Sequence, residues 1–236
     1  MTTYDVKLIG KREVAEGTME FTLEKPEGLD IRAGQFCDVK LPSPEGTPRH
    51  DGMHGFSFVN APFEPHVAVA TRMRGTPFKE AFRKTPDGTV VKLIAPFGDF
   101  TLHKTESVPA VFIIGGIGIT PVRSMIAQAL HDKTGHRLTL IYANRTPAQA
   151  AYAAELQELA RRHANFTFVP VYTQARADGA EHGHVDGDMI RRHVPDLAIP
   201  RFYLSGPEGM VKATRALLIE IGANEDNIRT EEFEGY

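Results

Sequence analysis

Residues 110–126, with the sequence AVFIIGGIGITPVRSMI, contain the features that decide the fold of this chain. Their first five residues form a short apolar run, which is typical of a strand buried on both faces. Three glycines follow, and glycine lets a chain turn sharply and lets its backbone approach a ligand. Thr120 is then suited to a helix N-cap and Pro121 to the first helical position. The segment predicts a buried strand, a glycine turn and a helix.

A strand, a glycine turn and a helix N-terminus in this order can bind an anion, because free amides and the positive helix end face the ligand. A nucleotide pyrophosphate is the expected ligand. The spacing is Gly116-x-Gly118-x-x-Pro121, so a proline replaces the third glycine of the usual dinucleotide motif. By itself this motif leaves two interpretations open, a nucleotide site and a tight turn that binds nothing.

The composition is ordinary for a globular protein, with 42% hydrophobic and 24% charged residues among 236. This length suits two domains better than one core. A net charge of -3 gives no basic field that would favour nucleic acid, and no apolar run is long enough for a membrane span. Because Cys37 is the single cysteine, we expect no disulfide, no cysteine-ligated iron–sulfur cluster and a reducing, cytoplasmic location.

The first part of the chain contains short alternating segments separated by turn residues. Strands are predicted at residues 6–9, 19–23, 35–41, 56–59, 67–70, 90–94 and 100–102. One short helix is predicted at residues 77–83. We therefore predict an antiparallel six-stranded Greek-key β-barrel domain over residues 1–104.

The second part of the chain alternates strands with helices. Further strands are predicted at residues 137–142, 166–171 and 202–204. Helices are predicted after Thr146-Pro147 and over residues 210–221, where Gly222 ends the last one. This alternation is typical of a parallel sheet with right-handed crossovers, so we predict a nucleotide-binding α/β domain over residues 105–236.

Four segments in order narrow the family: HGFS at residues 54–57, APFGDF at 95–100, GGIGITP at 115–121 and LSGPEGM at 204–210. Together they resemble the ferredoxin–NADP reductase superfamily, which includes flavin reductases and the reductase components of oxygenases. The resemblance covers nearly the whole chain. It implies that the barrel binds FAD, that the α/β domain binds NADPH or NADH, and that a hydride passes between them.

The resemblance assigns the flavin site to the first motif. Phe56 would pack at the flavin, and the hydroxyl of Ser57 would lie near its reactive ring nitrogen. His54 takes the place of an arginine that clamps the FAD pyrophosphate in the family, and an imidazole cannot form a bidentate fork. Either FAD binds more weakly and with pH dependence, or another cation replaces the arginine, for which Arg72 and Arg74 are candidates.

A basic segment follows the flavin motif. Gly75-Thr76 resembles the family's small-residue phosphate contact. Residues 71–84 hold one acid, Glu80, against five basic residues: Arg72, Arg74, Lys79, Arg83 and Lys84. This cluster suits either FAD phosphates or the docking of an acidic ferredoxin. For the last three, an ordinary solvated basic face is an equal alternative.

The nicotinamide nucleotide is assigned to the other two motifs. Its phosphates would be bound by four residues of the glycine turn: Gly116, Gly118, Thr120 and Pro121. Ser205-Gly206-Pro207 resembles the family's Cys-Gly-Pro, whose cysteine lies beside the nicotinamide, and Met210 ends the same motif. Serine keeps a small polar group there but loses the polarizable sulfur.

The chain end supplies a carboxylate and an aromatic residue in many relatives. Glu231 and Phe233 fit this pattern, with the aromatic ring covering the flavin face on which nicotinamide must stack. Tyr236 is the competing cover. We assign catalytic roles to Ser57, Ser205, Glu231 and Phe233.

The adenosine end of the nucleotide is expected at the ends of the second and third strands of the α/β domain. Asn144, Arg145 and Arg176 occupy those places, and arginines without an acid favour a 2′-phosphate and hence NADPH. Since Arg145 occurs with either nucleotide in the family, this preference rests on Arg176. His182 and His184 have only local donors before a helix, so we predict no metal site there.

The chain is thus predicted to be an FAD-dependent oxidoreductase that transfers hydride between NAD(P)H and FAD and passes electrons to a separate acceptor, such as a ferredoxin or an oxygenase component. One alternative is an NAD(P)H-dependent reductase of free flavin or other small acceptors, favoured if bound flavin is readily lost. Another is a non-catalytic flavin-binding electron-transfer subunit of a larger complex. Such subunits usually have a cysteine cluster near the C-terminus, and this chain has none.

Overall fold

The computed structural model describes residues 1–42 and 52–233, whose strands form two six-stranded sheets. The first sheet contains β1 (Thr2–Ala15), β2 (Thr18–Glu24), β3 (Phe36–Lys40), β4 (Met53–Ser57), β5 (His66–Arg72) and β6 (Val90–Phe97). The second contains β7 (Ala110–Gly115), β8 (Leu138–Asn144), β9 (Phe166–Tyr172), β10 (Glu181–His182), β11 (Arg201–Pro207) and β12 (Ile228–Phe233). The α-helices are α1 (Pro77–Lys84), α2 (Ile119–His131), α3 (Ala153–Arg162), α4 (Gly187–His193) and α5 (Glu208–Glu220).

The first sheet is antiparallel throughout, with the strand order β4-β3-β6-β1-β2-β5. A bridge between Phe58 and Val69 joins its two edges and closes the sheet into a barrel. Neighbours that are distant in the chain, such as β3 with β6 and β2 with β5, are joined by long connections, as the Greek-key prediction requires.

Cys37 is fully buried in the barrel core, where burial raises the pKa of its thiol.

The second sheet is parallel, with the strand order β10-β9-β8-β7-β11-β12, so β7 lies at its centre. Alternate residues of β7 contribute to two separate apolar clusters: Ala110, Phe112 and Ile114 to one, Val111 and Ile113 to the other. Helices α2 and α3 contribute to the first cluster, and α4 and α5 to the second. The uninterrupted apolar run of β7 is therefore explained by burial on both faces.

The direction of strand addition reverses between β7 and β11. From β7 the chain proceeds through β8 and β9 on one side, and β11 and β12 add on the other. In open parallel sheets the carboxyl ends of the two strands at such a reversal border a ligand-binding crevice. The same ends carry the glycine turn of residues 115–118 and the Ser205-Gly206-Pro207 motif.

Three predictions about elements are wrong. Residues 100–102 are not a strand, because Thr101 N–H donates to Asp99 O in a turn and the buried Phe100 packs against Tyr203 of the second sheet. Thr120 is not the N-cap of α2, and Pro121 is the third residue of this helix rather than the first. The helix begins at Ile119 after a 3-10 turn over Gly116–Gly118, and the Thr120 hydroxyl donates to Ile117 O at 3.1 Å.

The helix predicted after Thr146-Pro147 starts later than expected. Thr146 precedes a 3-10 turn over Pro147–Gln149, and its side chain makes no capping hydrogen bond; α3 begins at Ala153. Neither β10 nor β12 was predicted from the sequence. Within the described ranges, no helix is long and apolar enough to cross a membrane.

Candidate functional site

Two clefts lie between the barrel and the carboxyl ends of the parallel strands. The first, here called the barrel cleft, has a volume of about 250 Å³ and is lined by residues that include His54, Phe56, Ser57, Lys79, Thr120 and Phe233. The second, the sheet cleft, has a volume of about 700 Å³ and is lined by residues that include Gly115, Gly116, Asn144, Arg145, Pro207 and Met210. Arg72 and Arg74 line both clefts, which therefore adjoin.

Strand β4 presents the first flavin motif to the barrel cleft. Phe56 and Ser57 are buried, and the Phe56 ring packs against Phe78 of α1 at 6.0 Å between centroids. The His54 ring lies 5.3 Å from the Phe56 ring. Partial burial and the positive charge of Lys79 lower the pKa of His54, so its imidazole is neutral at neutral pH. The residue that replaces the family's arginine therefore contributes no positive charge.

Arg72 extends from β5 of the barrel towards the glycine turn of the parallel sheet. Its Nη2 lies 3.3 Å from the position that a β-carbon on Gly116 would occupy, and Gly116 itself has a φ of 53°. Its Nε is buried and has no hydrogen-bond partner within the described ranges. A buried donor without a partner is unusual in a folded protein, and it indicates a place where a ligand acceptor fits.

Glycines bring the ends of β7 and β11 into backbone contact. A β-carbon on Gly118 would lie 2.5 Å from the backbone carbonyl carbon and oxygen of Ser205. Gly206 has a φ of 148°, and a β-carbon there would lie 2.9 Å from Gly115 O. The glycines at 118 and 206 thus shape the turn. Neither they nor Pro121, which is buried inside α2, is among the residues that line the two clefts.

Strand β12 brings the predicted chain-end residues beside the Ser205-Gly206-Pro207 motif. Ser205 pairs in register with Glu231, and Pro207 pairs with Phe233. Ser205 is fully buried, and its Oγ and the Glu231 Oε2 have no hydrogen-bond partner in the described part of the chain. Burial and, to a smaller extent, the charge of Asp99 raise the pKa of Glu231 to about 7. Two orphaned polar groups therefore lie on neighbouring strands, although neither residue is among those that line the two clefts.

The predicted adenosine-end residues do not all reach the sheet cleft. Asn144 and Arg145 line it at the end of β8, and both amide atoms of Asn144 are buried without a partner in residues 1–42 and 52–233. Arg176 instead is exposed and borders a separate depression with Asp178. The structure thus removes the argument that favoured NADPH. His184, which the sequence interpretation left aside, lines the sheet cleft.

The remaining predicted residues lie beside the clefts or outside the described ranges. Gly75, with a φ of 69°, and Thr76 form the connection from β5 to α1, and neither is among the lining residues. Tyr236 lies outside the described residues. Sequence reasoning left Lys79 open between a phosphate or docking site and a solvated basic face, and the structure buries it in the wall of the barrel cleft.

The histidines and acids near residue 184 have ordinary structural contacts. The Nδ1 of His182 lies 2.9 Å from Ala175 O, and Asp186 caps α4 by accepting from Met189 N–H at 2.8 Å. A search of the described residues finds no group of three or more potential metal ligands.

An ion-pair cluster fixes the barrel against the parallel sheet on the α2 side. Arg123 of α2 donates to both carboxylate oxygens of Glu64, from the loop before β5, and to Glu155 of α3. The neighbouring Ser124 hydroxyl donates to Asn60 O of the same loop at 2.7 Å. Because Arg123 is largely buried and Ser124 is fully buried, the cluster restrains the relative position of the two sheets and hence of the two clefts.

Known oxidoreductases are similar to this chain in sequence. The family model of the oxidoreductase NAD-binding domain matches residues 112–216. Ferredoxin--NADP reductase B of Sorangium cellulosum (strain So ce56) is 24% identical over 98% of this chain and 98% of its own length. These matches support the resemblance to the ferredoxin–NADP reductase superfamily. Another relative, the reductase component of propane 2-monooxygenase from Rhodococcus jostii (strain RHA1), is 30% identical over 89% of this chain, but the match spans only 57% of the relative's length.

A solved structure supports the superfamily fold over both sheets. The ferredoxin NADP+ reductase from Neisseria gonorrhoeae, with bound FAD and NADP, superimposes with a TM-score of 0.83 at 20% identity, covering 98% of this chain and 99% of the other. The superfamily resemblance drawn from four motifs is therefore confirmed, as is the architecture of an antiparallel barrel followed by a parallel α/β sheet. The sequence departs from the superfamily pattern at His54, which replaces an arginine. The structure shows that this neutral histidine lies in the wall of the barrel cleft.

Proposed function

We propose that the chain is an FAD-dependent oxidoreductase that transfers hydride between NAD(P)H and FAD and passes electrons to a separate acceptor, such as a ferredoxin or an oxygenase component. One observation carries this proposal: the barrel cleft and the sheet cleft adjoin, and Arg72 and Arg74 line both. The names of the relatives agree with it, since one is the reductase component of a monooxygenase and another is a ferredoxin–NADP reductase.

The barrel cleft suits FAD by the chemistry of its lining. Phe56 and Phe233 offer aromatic surface, Ser57 offers a hydroxyl, and the basic residues Arg72, Arg74 and Lys79 also line the cleft. The unpartnered Nε of Arg72 is a donor that a phosphate oxygen would satisfy. When bound, FAD supplies the chemistry that joins two-electron hydride transfer to one-electron release. We assign residues 1–104 to the FAD-binding domain.

The sheet cleft suits a nicotinamide nucleotide, and we assign residues 105–236 to its binding domain. Gly116 offers backbone at the end of β7, and Arg145 and Asn144 offer polar groups at the end of β8. The two amide atoms of Asn144 are orphaned, as expected where a ligand completes the hydrogen bonding. Since Arg176 lies outside this cleft, NADPH and NADH are proposed as equal candidates.

Ser205, Glu231 and Phe233 are proposed to act where the clefts adjoin. The Ser205 Oγ and the Glu231 Oε2 are free to hold a polar group of the nicotinamide. A carboxyl group with a pKa of about 7 can hold or release a proton at neutral pH, which suits general acid–base work. Phe233 lines the barrel cleft and would cover the flavin face until the nicotinamide displaces it.

The electron acceptor is proposed from charge alone. Arg83 and Lys84 are exposed at the end of α1, close in sequence to the basic lining of the barrel cleft. Such a surface suits an acidic ferredoxin. The alternative acceptor, free flavin, is favoured by the neutral His54, because loss of the pyrophosphate clamp would let the cofactor dissociate.

Steady-state oxidation of NADPH and NADH in the presence of ferricyanide and added FAD tests this function. We expect turnover that Ser57→Ala and Ser205→Ala each reduce by at least about tenfold, the rate ratio that corresponds to loss of one charge-stabilising hydrogen bond. Ser107→Ala, at an exposed serine, serves as the matched control and should leave the rate unchanged. Absence of turnover by the wild-type chain with either nucleotide would contradict the proposal.

A further inference from the structure

Lys79 differs from the other basic residues of α1 in its burial. Lys79 is only 9% exposed, whereas Arg83 and Lys84 on the same helix are exposed. Arg83 has a partner, since it donates to Glu80 in an ion pair one turn away. The solvated-face interpretation of this basic segment thus fits Arg83 and Lys84 but not Lys79.

Lys79 has no acidic partner among the described residues. Within residues 1–42 and 52–233 it has neither an ion pair nor a hydrogen-bond acceptor, although acids pair with basic residues elsewhere on the surface. Burial and, to a smaller extent, the like charge of Arg74 lower the pKa of Lys79. Partial removal of an ammonium from water without a counter-charge is unfavourable, so this position costs free energy while the cleft is empty.

The ammonium of Lys79 faces a cleft in which basic groups predominate. Lys79 lines the barrel cleft together with His54, Arg72 and Arg74, and the acid in that lining is the exposed Glu232. Lys79 and His54 are close enough for the lysine charge to oppose protonation of the imidazole. In this cleft, positive charge is thus available from Lys79, Arg72 and Arg74 and not from residue 54.

We propose that Lys79 binds the diphosphate of FAD in the barrel cleft and supplies the positive charge that His54 does not. This inference rests on the proposed function, because it concerns the cofactor of the same site. It also explains why a lysine with little exposed surface has no partner among the described residues: the phosphate oxygens provide the counter-charge and the hydrogen-bond acceptors. Lysine suits this role as a point charge on a flexible stem, which needs no bidentate geometry.

The test compares the FAD affinity of the wild-type chain and of Lys79→Met by quenching of flavin fluorescence. Methionine keeps the length and apolar character of the stem and removes the charge. We expect the Kd for FAD to rise by at least about tenfold, which is typical for loss of a hydrogen bond to a charged group. Lys84→Met makes the same chemical change on the exposed face of the same helix and should leave the Kd unchanged.

Riboflavin is the probe that separates a phosphate contact from a structural effect. It carries the same ring system without phosphate, so Lys79→Met should leave its affinity unchanged. The melting temperature of cofactor-free Lys79→Met should equal or exceed that of the wild type, because an uncompensated buried charge has been removed. His54→Arg introduced into the Lys79→Met chain should recover FAD affinity, because the charge returns at the neighbouring position.

The outcomes distinguish this inference from the proposed function. If the wild-type chain binds FAD and Lys79→Met binds it equally well, the inference is overturned and the proposed function stands. Equal weakening of FAD and riboflavin would also overturn it, since Lys79 would then only support the shape of the cleft. If the wild-type chain binds no FAD, both fail. Should Lys79→Met not fold, Lys79→Gln replaces it in every comparison.

Discussion

The substitution Glu231→Gln tests whether β12 holds a buried carboxyl group that titrates near neutral pH. Glutamine keeps the shape of the side chain and removes the ionisable proton. In the wild type, burial and then the charge of Asp99 raise the pKa of Glu231 from 4.5 to about 7. The structural cause is visible in the hydrogen bonding, since the Oε2 atom is buried and has no partner among the described residues.

The magnitude and sign follow from linkage. Because the folded chain binds this proton more tightly than the unfolded chain, the contribution of Glu231 to stability is present below about pH 4.5 and is lost as the pH rises to about 7. At about 1.4 kcal/mol for each pKa unit, the loss amounts to about 3 kcal/mol at most. Glutamine does not titrate, so Glu231→Gln does not lose this stability. The unfolding free energy of the variant relative to that of the wild type should therefore increase over this pH range.

The assay has two parts. The difference in unfolding free energy between wild type and Glu231→Gln, from urea titrations at several pH values, cancels the contributions of all other titrating groups. In parallel, ¹³C NMR of a glutamate-labelled chain should show one carboxyl resonance that titrates near pH 7 and is absent from the variant. A stability difference that is constant with pH, or a Glu231 resonance that titrates near its ordinary pKa, would refute the reasoning.

Three further substitutions probe the turn, the sheet contact and the cleft cover. Gly118→Ala places a β-carbon about 2.5 Å from the backbone of Ser205, so the melting temperature should fall; an unchanged value would mean that α2 moves freely away. Arg123→Met leaves the carboxylate of Glu64 without its guanidinium and should cost about 3 kcal/mol in urea unfolding, a cost below about 1 kcal/mol being contrary evidence. Phe233→Ala uncovers the barrel cleft and should lower the KM for NADPH or NADH; a KM equal to that of the wild type would argue against a cover.

The elements best predicted from sequence are those whose burial leaves a simple pattern. The apolar run before the glycine turn predicted β7 because that strand is buried on both faces. The pattern failed for residues 100–102, where Phe100 is apolar because it packs between the two sheets and not because it alternates in a strand. It also failed for β12, whose sequence IRTEEF is polar because it forms the edge of the sheet.

Sequence predicted the site residues that belong to local motifs. It missed those whose role depends on how distant elements pack together. The chain-end residues Glu231 and Phe233 were assigned by position, and their pairing with β11 becomes visible only in the structure. The burial of Lys79 could not be read from a segment rich in basic residues, because the barrel and α1 together enclose it. Likewise, Arg176 follows the expected strand, but the chain turns it away from the sheet cleft.

The most direct test of the central claim is an anaerobic titration of the FAD-reconstituted chain with NADPH and, separately, with NADH, followed by visible absorption. The adjoining clefts with Arg72 and Arg74 in both linings predict that the chain retains FAD and that at least one nucleotide bleaches the flavin band stoichiometrically. A chain that takes up no FAD, or bound FAD that neither nucleotide reduces, would contradict the account.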